Sequence, residues 1–189
     1  MADYNLESLR QAYQAGKRPK YLFFWGHSEK DGPATKACLS QWYPSLFQAE
    51  GERYQWAEQY MMAQKARLFE DEEFFRRIMA AKHPGECKKL GKQVRNFDGG
   101  TWDKEKSAIV ARGNYYKFSQ NPEMKEFLLA TGNRVLVEAS PYDRIWGIGM
   151  TASNTNAENP LLWRGRNLLG FALMEVRDKL AQEPDAQQN

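Results

Sequence analysis

Between Tyr54 and Phe69 the chain sets two charged side chains in the middle of its most apolar helical face. With Glu58 at zero and 100° per residue, Tyr54, Met61, Met62 and Phe69 fall within about 60° of it, and Ala66 and Leu68 within about 80°. Lys65, two turns further on, returns to about −20°, roughly 10.5 Å along the axis. Trp56, Gln59, Ala63, Gln64 and Arg67 occupy the other side. A charge buried without a partner is expensive, so any fold built on this helix must accommodate two of them. One solution is structural: an ion pair, or long side chains that snorkel to water. The other is chemical. A partly desolvated lysine loses basicity and becomes a nucleophilic amine, and a carboxylate beside it moves protons. Such a pair suits attack on the anomeric carbon of a sugar.

Composition places this helix in an ordinary globular domain. The 189 residues include 27 Lys or Arg and 24 Asp or Glu, a net charge of +3, with 42% hydrophobic and 13% aromatic residues. That is enough for one core in one domain, and it excludes a disordered chain, a coiled coil and a strongly basic nucleic-acid module. No run approaches the ~18 apolar residues of a membrane helix. The N-terminal MADYNLESLRQAY lacks the apolar stretch of a signal peptide, which points to a cytoplasmic protein. Cys38 and Cys87 form no C-x-x-C pair, and His27 and His83 are far apart, so zinc-site spacing is missing. Two ordinary thiols are the simplest reading, with no metal and no cofactor expected. A G-x-S-x-G elbow is absent, and Gly147 and Gly149 lack the third glycine of a dinucleotide motif.

The periodicities predict a mainly α-helical α+β domain with a small β-sheet. Helices are expected at 5–15, 54–69, 71–81, 85–93, 104–117, 122–130 and 168–180, and strands at Tyr21–Trp25 and Arg134–Ala139. Residues 26–37 read as a polar loop. Residues 140–166 are a long irregular stretch, of a length that compact domains usually keep for function. In outline, residues 1–20 form a helical extension, 21–182 a single compact domain and 183–189 a disordered tail.

Further candidates lie around that stretch. Asp143 and Trp146 in SPYDRIWGIG either cap a turn and fill the core, or bind ribose hydroxyls and stack on a base. Arg166 and Asn167 precede the last helix, where two guanidinium groups and a helix N-terminus suit an anion, or where Arg164 and Arg166 are simply solvated and Asn167 a good cap. Lys88 and Lys89 read as a solvated helix face. Lys117 and Asn121 either approach a phosphate or end a helix before Pro122.

The segments Phe24-Trp25, Leu39 to Pro44, Trp56 to Ala66, Lys89 to Lys92, Lys117 to Asn121, Leu136 to Ser140, Asp143 to Gly149 and Asn167 to Gly170, in this order, resemble the NADAR family, also called YbiA-like. The resemblance runs from about residue 22 to 180 and implies a YbiA-like domain with N-glycosidase activity on early riboflavin-pathway intermediates, releasing ribose 5-phosphate. Glu58 matches the family's glutamate, Trp102 its tryptophan, and Asp143 and Trp146 its D-x-x-W pair. Trp102 or Trp146 would then stack on the base, Asp143 hold ribose, Lys65 attack the sugar carbon, and Glu58 transfer protons. The partner implied is a small phosphoribosylated substrate, with no membrane. Other family members remove ADP-ribose from guanine in nucleic acid, and a non-catalytic ADP-ribose or nucleotide reader is a rival of a different class. Glu70, where the family commonly has glycine, and the length of residues 26–37 are the departures.

Overall fold

In the computed structural model the described residues are 4–26 and 34–183. His27, most of the expected polar loop and the expected tail from residue 184 onward lie outside them.

Among the described residues, seven α-helices and four short strands form the fold. Helix α1 (Leu6–Gln14) starts where the Asn5 side chain accepts a hydrogen bond from the Ser8 amide. Strand β1 (Tyr21–Phe24) pairs in parallel with β4 (Val135–Glu138), in a register that sets Tyr21 against Val135 and Phe24 against Glu138. A second two-stranded sheet, which the periodicities did not reveal, joins β2 (Phe47–Ala49) and β3 (Glu52–Tyr54) in antiparallel fashion. Its turn residues Glu50 and Gly51 have φ of 55° and 83°, the left-handed geometry that lets a two-residue turn follow strand twist. The Glu50 carboxylate is held there by Tyr60 and Gln64, with Arg67 and Arg112 as ion-pair partners.

Helix α2 (Ala57–Leu68) is surrounded by α3 (Glu72–Met79), α4 (Pro84–Gly91) and α5 (Gly99–Gln120). It is buried from Ala57 to Gln64 without a break. The helical wheel's division into an inner and an outer face therefore gives way to burial on all sides. Gln59 and Gln64, on the side opposite the apolar face, are inside because their amides have partners: Gln59 donates to the carbonyls of Ile78 and Met79, and Gln64 to Glu50. Helix α5 begins five residues earlier than its periodicity suggests, since Asp98 caps it by accepting from the Thr101 amide at 2.7 Å. That places Trp102 in its first turn. Asn121 closes α5 and opens α6 (Pro122–Ala130), with Pro122 in the first turn where its missing N–H costs nothing.

The last helix, α7 (Leu168–Gln182), packs on α5 and β4. A Cβ at Gly170 would stand 2.0 Å from the Leu136 carbonyl oxygen, so glycine is what allows the helix to come this close. Asn167 stands at the N-cap position, but its side chain makes no capping bond. It is fully buried, has φ of 54°, donates to the Leu136 carbonyl at 2.9 Å and accepts from the Glu138 amide at 3.0 Å. The irregular stretch 140–166 is fastened by backbone bonds, among them Ile148 to Glu138, Arg164 to Ile148 and Asn167 to Gly147. A Cβ on Gly165 would lie 2.2 Å from the Gly147 carbonyl oxygen. Helix α1 leans on this stretch through Arg10, which donates to the Pro160 and Trp163 carbonyls. Cys38 and Cys87 are buried free thiols, and among the described residues no helix is long and apolar enough to cross a membrane.

Asn167 is expected to be the most sensitive polar residue of this frame. Asn167→Ala leaves a buried carbonyl and a buried amide unpaired, each worth about 1–3 kcal/mol, so the urea midpoint should fall by the equivalent of roughly 2–4 kcal/mol with an unchanged slope. A midpoint within experimental error of the parent would show that the two bonds are dispensable.

Candidate active site

The helix face that carries Glu58, Met61, Met62 and Lys65 joins the core through its two methionines and is open beyond them. It lines a cavity of about 640 Å³. The cavity is closed on other sides by Phe24, Gln41, Trp42, Glu138 and Ser140, by Lys88, Gly91 and Lys92 of α4, by Trp102 of α5, and by Asp143 and Trp146 of the irregular stretch. Of the expected site residues, the structure thus brings together Glu58, Lys65, Trp102, Asp143 and Trp146. Arg166 is exposed and Asn167 is committed to β4, and neither lines the cavity.

Glu58 is 4% exposed. Its amide donates to the Gln41 carbonyl at 3.0 Å, which fixes the start of α2. One carboxylate oxygen accepts a hydrogen bond from Trp42, while Oε1 has no partner. Burial pushes its pKa up to about 7, Lys88 and the Trp42 bond counter that in part, and Asp143 adds to it.

Lys65 is half-buried and is not paired with Glu58: its Nζ donates to the Gly91 carbonyl at 2.7 Å. The ammonium lies 4.2 Å from the Phe97 ring centroid and 5.5 Å from that of Trp102. Burial lowers its pKa. The carbonyl is within reach because residue 91 is glycine; a Cβ there would sit 2.0 Å from the Met62 sulfur. Asp143 uses Oδ1 to accept from the amides of Ile145 and Trp146 at 2.8 and 2.7 Å, so it both closes a turn and orients the tryptophan.

Sequence reasoning singled out no role for Glu138, Trp42, Gln41 or Lys92, and took Lys88 for a solvated face. Lys88 and Lys92 are exposed yet stand at the cavity wall, four residues apart at the C-terminal end of α4. Three buried polar atoms without partners, Gln41 Oε1, Glu58 Oε1 and Glu138 Oε2, belong to cavity residues. Their concentration in one place marks the floor of the cavity, and it exists only in three dimensions. Lys117 is elsewhere: it is fully buried, donates to the Ser40 carbonyl at 2.8 Å, and burial lowers its pKa to about 7. Among the described residues no cluster of metal-ligating side chains occurs.

Residues 23–181 match the family model of the NADAR domain. The chain is 46% identical over 168 residues to "N-glycosidase R617" of Acanthamoeba polyphaga mimivirus, covering 86% of this chain and 98% of that protein. It is 30% identical over 134 residues to "N-glycosidase YbiA" of Escherichia coli, covering 71% of this chain and 75% of that one. The NMR structure of E. coli YbiA superimposes with a TM-score of 0.71 at 24% identity, over 91% of this chain and 94% of the other, which shows a shared fold.

A carboxyl that binds its proton more tightly when folded stabilises the fold at low pH and ceases to do so as pH rises through its folded pKa. Glu58, moved from 4.5 to about 7, should therefore make the protein lose on the order of 3 kcal/mol between mildly acidic and mildly basic pH. Glu58→Gln should match the parent near pH 4 and be the more stable of the two near pH 8 in urea titrations. A variant less stable than the parent at pH 8 would show an ionised Glu58 that supports the fold.

Proposed function

The chain belongs to the NADAR family, and on that premise we propose that it is an N-glycosidase that hydrolyses phosphoribosylamino-pyrimidines, the early intermediates of riboflavin synthesis, and releases ribose 5-phosphate. The observation that carries this reading is the convergence of a buried carboxyl, Glu58, and a half-buried amine, Lys65, on one cavity walled by Trp42, Trp102 and Trp146. We assign the catalytic unit to residues 21–182, with the N-terminal helix as an extension.

A flat pyrimidine stacks on Trp102 or Trp146, whose π-faces suit either a uracil or a purine. Asp143 accepts hydrogen bonds from the ribose hydroxyls. The phosphate lies against Lys88 and Lys92, the exposed cations of the wall, in place of the Arg166 and Asn167 site that the sequence suggests. Ribosylamines open to an iminium, and the neutral Lys65 amine adds to its carbon. Glu58 takes the proton that the attacking nitrogen sheds, the nitrogen of the base gains a proton from an acid in the cavity, and the base departs as its amine. Water then adds to the Lys65 imine, its oxygen bonds to the sugar carbon, and the carbon–nitrogen electron pair returns to Lys65 as the sugar leaves as its aldehyde.

The aromatic rim supports a second reading. Trp25 and Tyr142 are 54% and 88% exposed at the mouth, with ring centroids 6.1 Å apart. They offer a stacking surface beyond the first base, as an ADP-ribosylated guanine in nucleic acid would need. Incubation with both substrate classes, followed by mass spectrometry of the released sugar, separates the two.

Two outcomes are expected of variants. Glu58→Ala should remain folded and lose about 10²–10⁴-fold in turnover; near-parental turnover would make Glu58 structural. With borohydride present, substrate should leave a reduced sugar adduct on Lys65, and Lys65→Arg should give neither adduct nor turnover, because a guanidinium stays protonated. An active Lys65→Arg enzyme would require direct attack by water.

A further inference from the structure

Glu138 is the last residue of β4, and its main chain is held from both sides. Its amide donates to Asn167 Oδ1 at 3.0 Å and its carbonyl accepts from the Ile148 amide at 2.9 Å. Gly147 presses against the same carbonyl, since a Cβ there would lie 2.8 Å from it. The strand thus delivers one carboxyl to a fixed place in the cavity wall. That carboxyl does nothing for the fold: Oε2 is buried and has no hydrogen-bond partner. A buried acid without a partner costs stability, and such groups persist where a ligand completes them.

Its neighbours determine how it behaves. Asp143 from the irregular stretch and Glu58 from α2 repel its negative form, and Lys88 from α4 favours it. Burial is the largest effect, and together these push its pKa up to about 8. Burial and the two neighbouring carboxyls favour the protonated form of Glu138, and it faces the same cavity as Glu58.

Resting on the N-glycosidase reading, we propose that Glu138 is the catalytic acid that protonates the departing nitrogen, so that Glu58 is left free to act as base. The protons balance. Glu138 in its acid form gives a proton to the glycosidic nitrogen, the C–N bond breaks, and its electron pair stays on the nitrogen of the released amine. The attacking Lys65 amine gives a proton to the Glu58 carboxylate as the new C–N bond forms. Glu58 is now acid and Glu138 base. When water cleaves the imine, its oxygen bonds to the sugar carbon and the electron pair of the C–N bond returns to Lys65. One proton then passes from Glu58 to Glu138 across the cavity. The two carboxyls hold one proton between them before and after, as like charges in one site require.

The test separates leaving groups. Two probes are used, 5-amino-6-ribosylaminouracil 5′-phosphate, which opens to an iminium, and 4-nitrophenyl riboside 5-phosphate, whose phenolate Lys65 displaces directly at the anomeric carbon of the closed ring, the carbon–oxygen electron pair leaving with the phenolate without protonation. Glu138→Gln keeps size and polarity but cannot give a proton. It should lose about 10²–10⁴-fold in kcat on the amine with KM changed only a few-fold, and retain near-parental kcat on the nitrophenyl probe, whereas Glu58→Gln should be slow on both. Carbon-13 NMR of glutamate carboxyls in the free protein should show a resonance titrating above pH 6 that is missing from Glu138→Gln. This proposal is overturned by a Glu138→Gln enzyme that is undiminished on the amine or equally slow on both probes, or by the absence of that titration. A parent enzyme that cleaves neither probe while the titration is present would instead overturn the N-glycosidase reading and with it the acid's role. If Glu138→Gln fails to fold, Glu138→Asp, with the acid drawn back, should show the same selective loss on the amine.

Discussion

The structure turns on the enclosure of α2. A helix buried on every side cannot leave its polar groups to water, so each must find a partner on a different element. Gln59 ties it to α3, Gln64 to the β2–β3 turn, Lys65 to the end of α4, and the Glu58 amide to the segment before β2. These bonds are few, and each fixes the distance between α2 and one neighbour. The Glu58 side chain is the exception, with one donor from Trp42 and one oxygen unanswered. The helix is thus held rigidly by its other polar residues around the one whose hydrogen bonding is incomplete, which is the arrangement that orients a reactive group without neutralising it.

The opposite wall follows the same logic with main chain in place of side chains. Asn167 adopts the left-handed conformation that asparagine tolerates, and it spends both ends of its amide on β4. The stretch 140–166 lacks regular structure, yet it is dense with backbone bonds and glycine contacts. Its irregularity is geometric rather than dynamic: a chain that must present Asp143 and Trp146 to the cavity and also close over β4 cannot repeat one set of dihedral angles.

Much of this was legible in the residues, and the reasons for what was not are specific. Helices α6 and α7 and strand β4 announced themselves through proline, stripe and β-branched composition. The β2–β3 hairpin did not, since strands of three residues carry almost no period and its turn begins with Glu50, an unusual choice for φ of 55°. The wheel correctly set Glu58 and Lys65 on one face with Met61 and Met62. That this face also met a cavity depended on Trp102, Asp143 and Trp146 arriving from 37 or more positions away in the chain. The cap signal at Asn167 was read for the helix it precedes, whereas a strand some 30 positions earlier had claimed the side chain. Glu138 was hidden by its own setting, being one acidic residue at the end of a hydrophobic run.

Gly91 sets the width of the site. Because residue 91 has no side chain, α4 rests directly on Met62, and the carbonyl that holds Lys65 is placed by backbone contact alone. The gap between the lysine wall of α4 and the carboxyl of α2 is in effect a caliper whose jaws are closed by a missing methyl group. A chain with this fold can change the size of molecule it admits by adding one carbon at that joint, at the expense of shifting α4 and the carbonyl that holds Lys65.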